Sequence, residues 1–172
     1  PHRGDHTRLP GVTKRSDGTY ESQTLGMDID ATTSLRSGLI QSAIEQYDPD
    51  LLIVDKEPTG FRGELLDALN DLVERGTTKI VLGLRDVLDE PEVLAREWER
   101  KNAIAATETF YDEIWVYGVR SVYDPTRGLD LSQQARARMH WTGYLRRTVC
   151  SPPTENEAPY ILVTPGGGGD GE

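Results

Sequence analysis

Asp50-Leu51-Leu52-Ile53-Val54-Asp55-Lys56-Glu57-Pro58-Thr59-Gly60 and Lys79-Ile80-Val81-Leu82-Gly83-Leu84-Arg85-Asp86 decide the fold. Each opens on a short continuous apolar run and ends in charge. Such runs predict strands buried on both faces, as in parallel sheets. Between them Leu65, Leu66, Ala68, Leu69, Leu72 and Val73 recur at helical spacing, and Gly76 suits the left-handed residue closing that helix. Glu113-Ile114-Trp115-Val116-Tyr117-Gly118 is a third strand, and a fourth is expected within Arg138 to Leu145, after a short helix near Leu131 to Ala137.

Before Leu51, the positions Leu35, Leu39, Ile40, Ala43, Ile44 and Tyr47 mark an amphipathic helix, with Asp30 as its cap and Asp48-Pro49 as its stop. Pro91 begins another, with Asp89 and Glu90 complementing its dipole and a continuation expected through Ile104 and Phe110. Pro1 to Met27 reads as loop, although Arg8 to Val12 can end a strand at Pro10-Gly11. The alternation of strand and helix predicts an α/β fold: a Rossmann-like parallel sheet with helices on both faces. Ligands of such sheets bind at the carboxyl ends of the strands. Those loops are Asp55 to Gly60, Arg85 to Val87 and Gly118 to Ser121.

The 172 residues carry 29 acidic and 19 basic side chains, a net charge of −10, which opposes general nucleic-acid binding. Apolar residues are 36%, lean for a globular chain yet too many for a disordered one. No run approaches the roughly 18–20 apolar residues of a membrane span. Pro1 to Pro10 holds no apolar signal-peptide region, and the single Cys150 has no internal disulfide partner, so a cytoplasmic location is expected.

Ser151 to Pro159 has linker composition, and Tyr160-Ile161-Leu162-Val163-Thr164 is a fresh strand running into Pro165 and Gly166-Gly167-Gly168-Gly169. Glycines after a strand let backbone N–H groups approach a diphosphate; a flexible tail is the plain alternative. The run matches neither the dinucleotide fingerprint nor the P-loop, which argues against ATP hydrolysis. Asp28 and Asp30 form an acidic pair, but Asp30 is better used as a helix cap than as a metal ligand. His2, His6 and His140 do not make a zinc set, Arg3-Gly4-Asp5 is read as chance, and Cys150 lacks an evident base. Lys56-Glu57 and Arg85-Asp86 stand at strand ends, where a carboxylate can accept a proton or bind a hydroxyl; strand-end solvation or one inter-loop salt bridge explains them equally well.

Taken in order, Asp50 to Asp86, Glu113 to Gly118, Trp141-Thr142-Gly143-Tyr144 and Ile161 to Gly168 resemble the MurG-like glycosyltransferases, similar to glycosyltransferase family 28. The resemblance runs from about Leu9 onward. It implies a GT-B architecture of two Rossmann-like domains, divided here into an acceptor-side domain over 1–150, a linker over 151–159, and the first strand and glycine loop of a nucleotide-sugar domain over 160–172. It further implies a hexosyltransferase that inverts the anomeric centre without a metal or other cofactor. Its substrates would be a nucleotide sugar, such as a UDP-sugar, and an unknown acceptor. Glu57 and Asp86 would serve as acceptor-side catalytic residues, and Gly166, Gly167, Gly168 and Gly169 would bind the donor diphosphate. The family's opening strand and helix have no counterpart among the 172 residues, and neither does the rest of the donor domain, so these residues alone are expected to be inactive. The net charge favours a soluble acceptor or only peripheral membrane contact. A non-catalytic α/β module binding a ligand or a protein is the alternative expectation.

Overall fold

The computed structural model describes residues 5–15, 17–23 and 26–144. The linker over 151–159, the strand Tyr160 to Thr164, Cys150 and the run Gly166 to Gly169 lie outside the described residues. A four-stranded parallel sheet forms the centre: β3 (Leu51–Asp55), β4 (Lys79–Arg85), β5 (Glu113–Tyr117) and β6 (Met139–Trp141), in that spatial order. Register pairs Ile53 with Val81 and Val54 with Leu82, then Leu82 with Ile114, then Val116 with Trp141. Helices α1 (Ile29–Tyr47), α2 (Leu66–Arg75), α3 (Pro91–Arg100), α4 (Ala103–Phe110) and α5 (Gln133–Ala137) flank it, giving the α/β, Rossmann-like class expected.

Position in the sheet governs strand burial. Ile80 to Leu84 of β4 are all buried, because β4 has a strand on each side and side chains packed on both faces. The expectation of double burial fails for β3. Among the described residues it is one of the two edge strands of this sheet, with Val54 buried but Leu51 and Ile53 each 45% exposed. An apolar run alone does not distinguish a central strand from an edge one.

The helix boundaries follow local chemistry, with two corrections. Asp28, not Asp30, caps α1: its carboxylate accepts the Ala31 N–H at 2.8 Å, while Asp30 forms an exposed 2.7 Å ion pair with Arg62. The helix begun by Pro91 does not run unbroken to Phe110. It stops at Arg100, and Asn102 in the left-handed region turns the chain into α4. Gly76 closes α2 in the left-handed conformation, its N–H donating to the Leu72 carbonyl. Lastly, part of the Pro1 to Met27 stretch is not loop: β1 (Val12–Lys14) and β2 (Tyr20–Ser22) pair antiparallel as a hairpin.

A buried ion pair joins these layers. Arg36 on α1 donates to both carboxylate oxygens of Glu64, at 2.5 and 2.8 Å, and to the Pro10 carbonyl at 2.6 Å. Glu64 also accepts the Phe61 N–H at 3.3 Å, so one carboxylate ties the segment after β3 to α1, and the arginine continues the tie to Pro10.

Candidate functional site at the strand carboxyl ends

The chain leaves β3 through Lys56, whose φ of 66° is in the left-handed region that non-glycine residues avoid. Its N–H donates to the Gly83 carbonyl at 2.7 Å, so the turn is stitched to β4 before the chain departs from the sheet. Glu57 follows. Its carboxylate accepts from Lys101 Nζ at 2.8 Å, and Glu97 accepts from the same ammonium at 2.7 Å. Burial opposes the charge on Lys101, but hydrogen bonds to Glu57 and Glu97 outweigh it and raise its pKa; Glu97 is held below its ordinary value chiefly by its bond to Lys101. Glu57 is therefore part of a clamp between the β3–α2 segment and the α3–α4 elbow.

Asp86 occupies the matching place after β4, in different company. Its carboxylate accepts the Val87 N–H at 3.0 Å, and its Cβ lies against Gly118, the residue after β5. A methyl group on Gly118 would stand 2.7 Å from Asp86 Cβ, so the approach requires glycine. Gly143 N–H donates to the Gly118 carbonyl at 3.1 Å, bringing the segment after β6 alongside. Tyr144 on that segment has its phenol pKa raised, first by desolvation and then by hydrogen bonding to Asp86 and by its negative charge. Tyr117, at the end of β5, is raised by desolvation and by the charge of Asp55. Both phenols thus stay protonated and can donate.

The strand ends consequently hold two groups rather than one. Asp86, Gly118 and Tyr144 form a rim with a carboxylate acceptor and a phenol donor, suited to hydroxyl-bearing ligands; Tyr117 lies apart from it, its hydroxyl over Gly83 of β4 and near Asp55. Glu57, Glu97 and Lys101 form the other group, and no hydrogen bond or ion pair joins Glu57 to Asp86 among the described residues. Arg85 pairs with Asp55 at 3.3 Å in an exposed position, where such pairs contribute little. Arg85 is thus paired with the last residue of the neighbouring strand, an ion pair between strand ends rather than between loops.

Beside the clamp opens a cavity of about 1250 Å³, bounded by the hairpin, the segment from Glu57 to Gly63 and the elbow between α3 and α4. Sequence reasoning missed it, because Lys14, Tyr20, Phe61 and Lys101 are far apart in the chain and none belongs to a motif. The spacing Gly60-Phe61-Arg62-Gly63 was the one available sign. Three of its residues have positive φ, at 69°, 52° and 83° for Gly60, Arg62 and Gly63. Among the described residues no three His, Cys, Asp or Glu side chains are grouped to share a metal ion, and no helix is long and apolar enough to cross a membrane.

Comparison of the chain with protein-family models, with curated proteins and with solved structures finds no match.

Proposed function

We propose that this chain supplies the acceptor-side domain of a metal-independent glycosyltransferase of the GT-B type, acting within a longer polypeptide. The observation that carries the proposal is the rim of Asp86, Gly118 and Tyr144 at the carboxyl ends of a parallel sheet, where ligands of this fold class bind. Asp86 accepts the proton of an acceptor hydroxyl as that oxygen attacks the anomeric carbon of a nucleotide sugar. The bond from that carbon to the diphosphate breaks on the opposite side, and the diphosphate departs with the electron pair. Tyr144 donates a hydrogen bond that orients the acceptor, and N–H groups of Gly166 to Gly169 bind the leaving diphosphate. Glu57, fixed by Lys101, orients the loop on the acceptor side.

The test is sugar transfer from a panel of UDP- and GDP-sugars by the polypeptide extended through its flanking coding sequence. Asp86→Asn is expected to reduce transfer at least 100-fold, in the range of a lost general base. Full transfer by that variant overturns the role of Asp86, and transfer by the 172-residue chain alone overturns the division of labour.

A non-catalytic binding module is the second reading. The clamp favours it, because a carboxylate committed to a lysine serves structure rather than proton transfer. Stop signals immediately on both sides of the coding sequence would select it.

A further inference from the structure

We propose that the cavity beside the Glu57–Lys101 clamp is a binding site for a small aromatic anion, one that joins an anionic group such as phosphate or sulfonate to a flat ring. The inference does not depend on sugar transfer. The volume, about 1250 Å³, exceeds the roughly 300–1000 Å³ that suffices for most small-molecule sites. Its walls are of two kinds. Tyr20 and Phe61 meet edge to face with ring centroids 5.0 Å apart, and Leu66 and Phe110 extend the apolar lining.

The remaining lining is charged, and its sign runs against that of the protein. Lys14, Arg62, Arg100 and Lys101 face Glu57 and Glu97, four cations to two carboxylates, on a chain of net charge −10. Both carboxylates are bound to Lys101, and Arg62 is bound to Asp30. Lys14 and Arg100 are exposed at the cavity and have no ion-pair partner among the described residues. A concave patch of positive potential in an acidic protein attracts anions and repels cations. An anionic group fits Lys14 and Arg100, and an attached ring fits the Tyr20 and Phe61 side.

Backbone conformation adds to this. Of the four non-glycine residues with positive φ among the described ones, Arg62 and Asn102 line the cavity and Lys56 adjoins it. Such conformations are costly for residues with a side chain and persist where the surroundings fix them, which happens most at functional sites.

Binding of 1-naphthyl phosphate to the 172-residue chain, followed by calorimetry and by amide chemical shifts, tests the proposal against 1-naphthol and inorganic phosphate. The expected result is saturable binding at least tenfold tighter than either control, with shifts at Phe61, Arg62 and Asn102. The Lys14→Gln/Arg100→Gln variant, with both changes at exposed positions, should keep its melting temperature and lose at least tenfold in affinity. The proposal is overturned by absence of saturable binding, by equal binding of 1-naphthol or of phosphate, by affinity unchanged in the variant, or by shifts confined to another surface.

Discussion

Gly118 and Asp86 are in direct contact across the ends of neighbouring strands, and the contact exists because Gly118 has no side chain. Its place is fixed by the register of β4 and β5, which pairs Arg85 with Tyr117 and so brings the next residue of each strand side by side. Replacing Gly118 by alanine puts a carbon 2.7 Å from Asp86 Cβ and 3.4 Å from its Cα. Atoms so close to the backbone cannot swing aside. Gly118→Ala should destabilise the domain by about 1–3 kcal/mol through overpacking and should shift the Val87 amide resonance; an unchanged spectrum and melting temperature would refute the contact.

Gly83 offers a contrast. A methyl there would collide with the Tyr117 hydroxyl, the far end of a side chain that can rotate. Gly83→Ala should therefore cost less than Gly118→Ala while displacing the Tyr117 ring from its place over β4. Urea denaturation of the two variants ranks them, and the opposite order would disprove the distinction.

The Arg36–Glu64 pair is buried, so losing one partner leaves a charge without compensation. Glu64→Ala should lower stability by about 3–5 kcal/mol, whereas Arg36→Met with Glu64→Leu should recover most of the loss. Chemical denaturation of the three proteins decides, and a double variant no more stable than the single one would contradict the argument.

The clamp has a definite pH window. Glu97 is held below its ordinary value, so its contribution is complete above about pH 4.5 and is lost as pH falls through the depressed value. Lys101 is raised, so its contribution is complete below about pH 10.5 and disappears as pH rises through the elevated value. Stability from this cluster should be level from about pH 5 to 10. In Lys101→Met the loss of stability between pH 5 and 3 should be shallower, measured by urea titration at each pH; an identical slope would remove the clamp's role.

Tyr111 donates its hydroxyl to the Pro58 carbonyl at 2.6 Å, and burial pushes its phenol pKa far up. Tyr111→Phe leaves that carbonyl without its donor and should cost about 1–3 kcal/mol. In a spectrophotometric titration of the folded protein, one of the seven tyrosines should stay protonated after the exposed ones have ionised. The unfolded phenol gives up its proton first, so stability from this group is complete below about pH 10 and falls above it. Simultaneous ionisation of all seven would exclude the burial.

The strands at 51–55, 79–85 and 113–117 were legible because short apolar runs of that length have little other use. The helix stop at Gly76 and the helix start at Pro91 were legible because those backbones are chemically fixed. The αL turn at Asn102 was not, since one asparagine flanked by Lys101 and Ala103, both good helix formers, is too weak a signal to break an otherwise helical pattern. The hairpin at 12–22 was hidden by two strands of only three residues each. At the site, Glu57 and Asp86 were found as strand-end carboxylates, but their separate surroundings were invisible. Lys101 reaches Glu57 across 44 residues, and Asp86 meets Gly118 across the sheet.

By itself the sequence determined the class of the fold and the end of the sheet at which polar side chains gather, because periodicity and chain punctuation are local properties. The tertiary structure alone decided which strands are central and which lie at the edges. It also separated the two carboxylates, and it opened a cationic cavity in an acidic protein. The reason is physical: burial, charge pairing and cavity shape depend on residues brought together by parallel register and by the turn between α3 and α4. No local pattern in the chain records those distances.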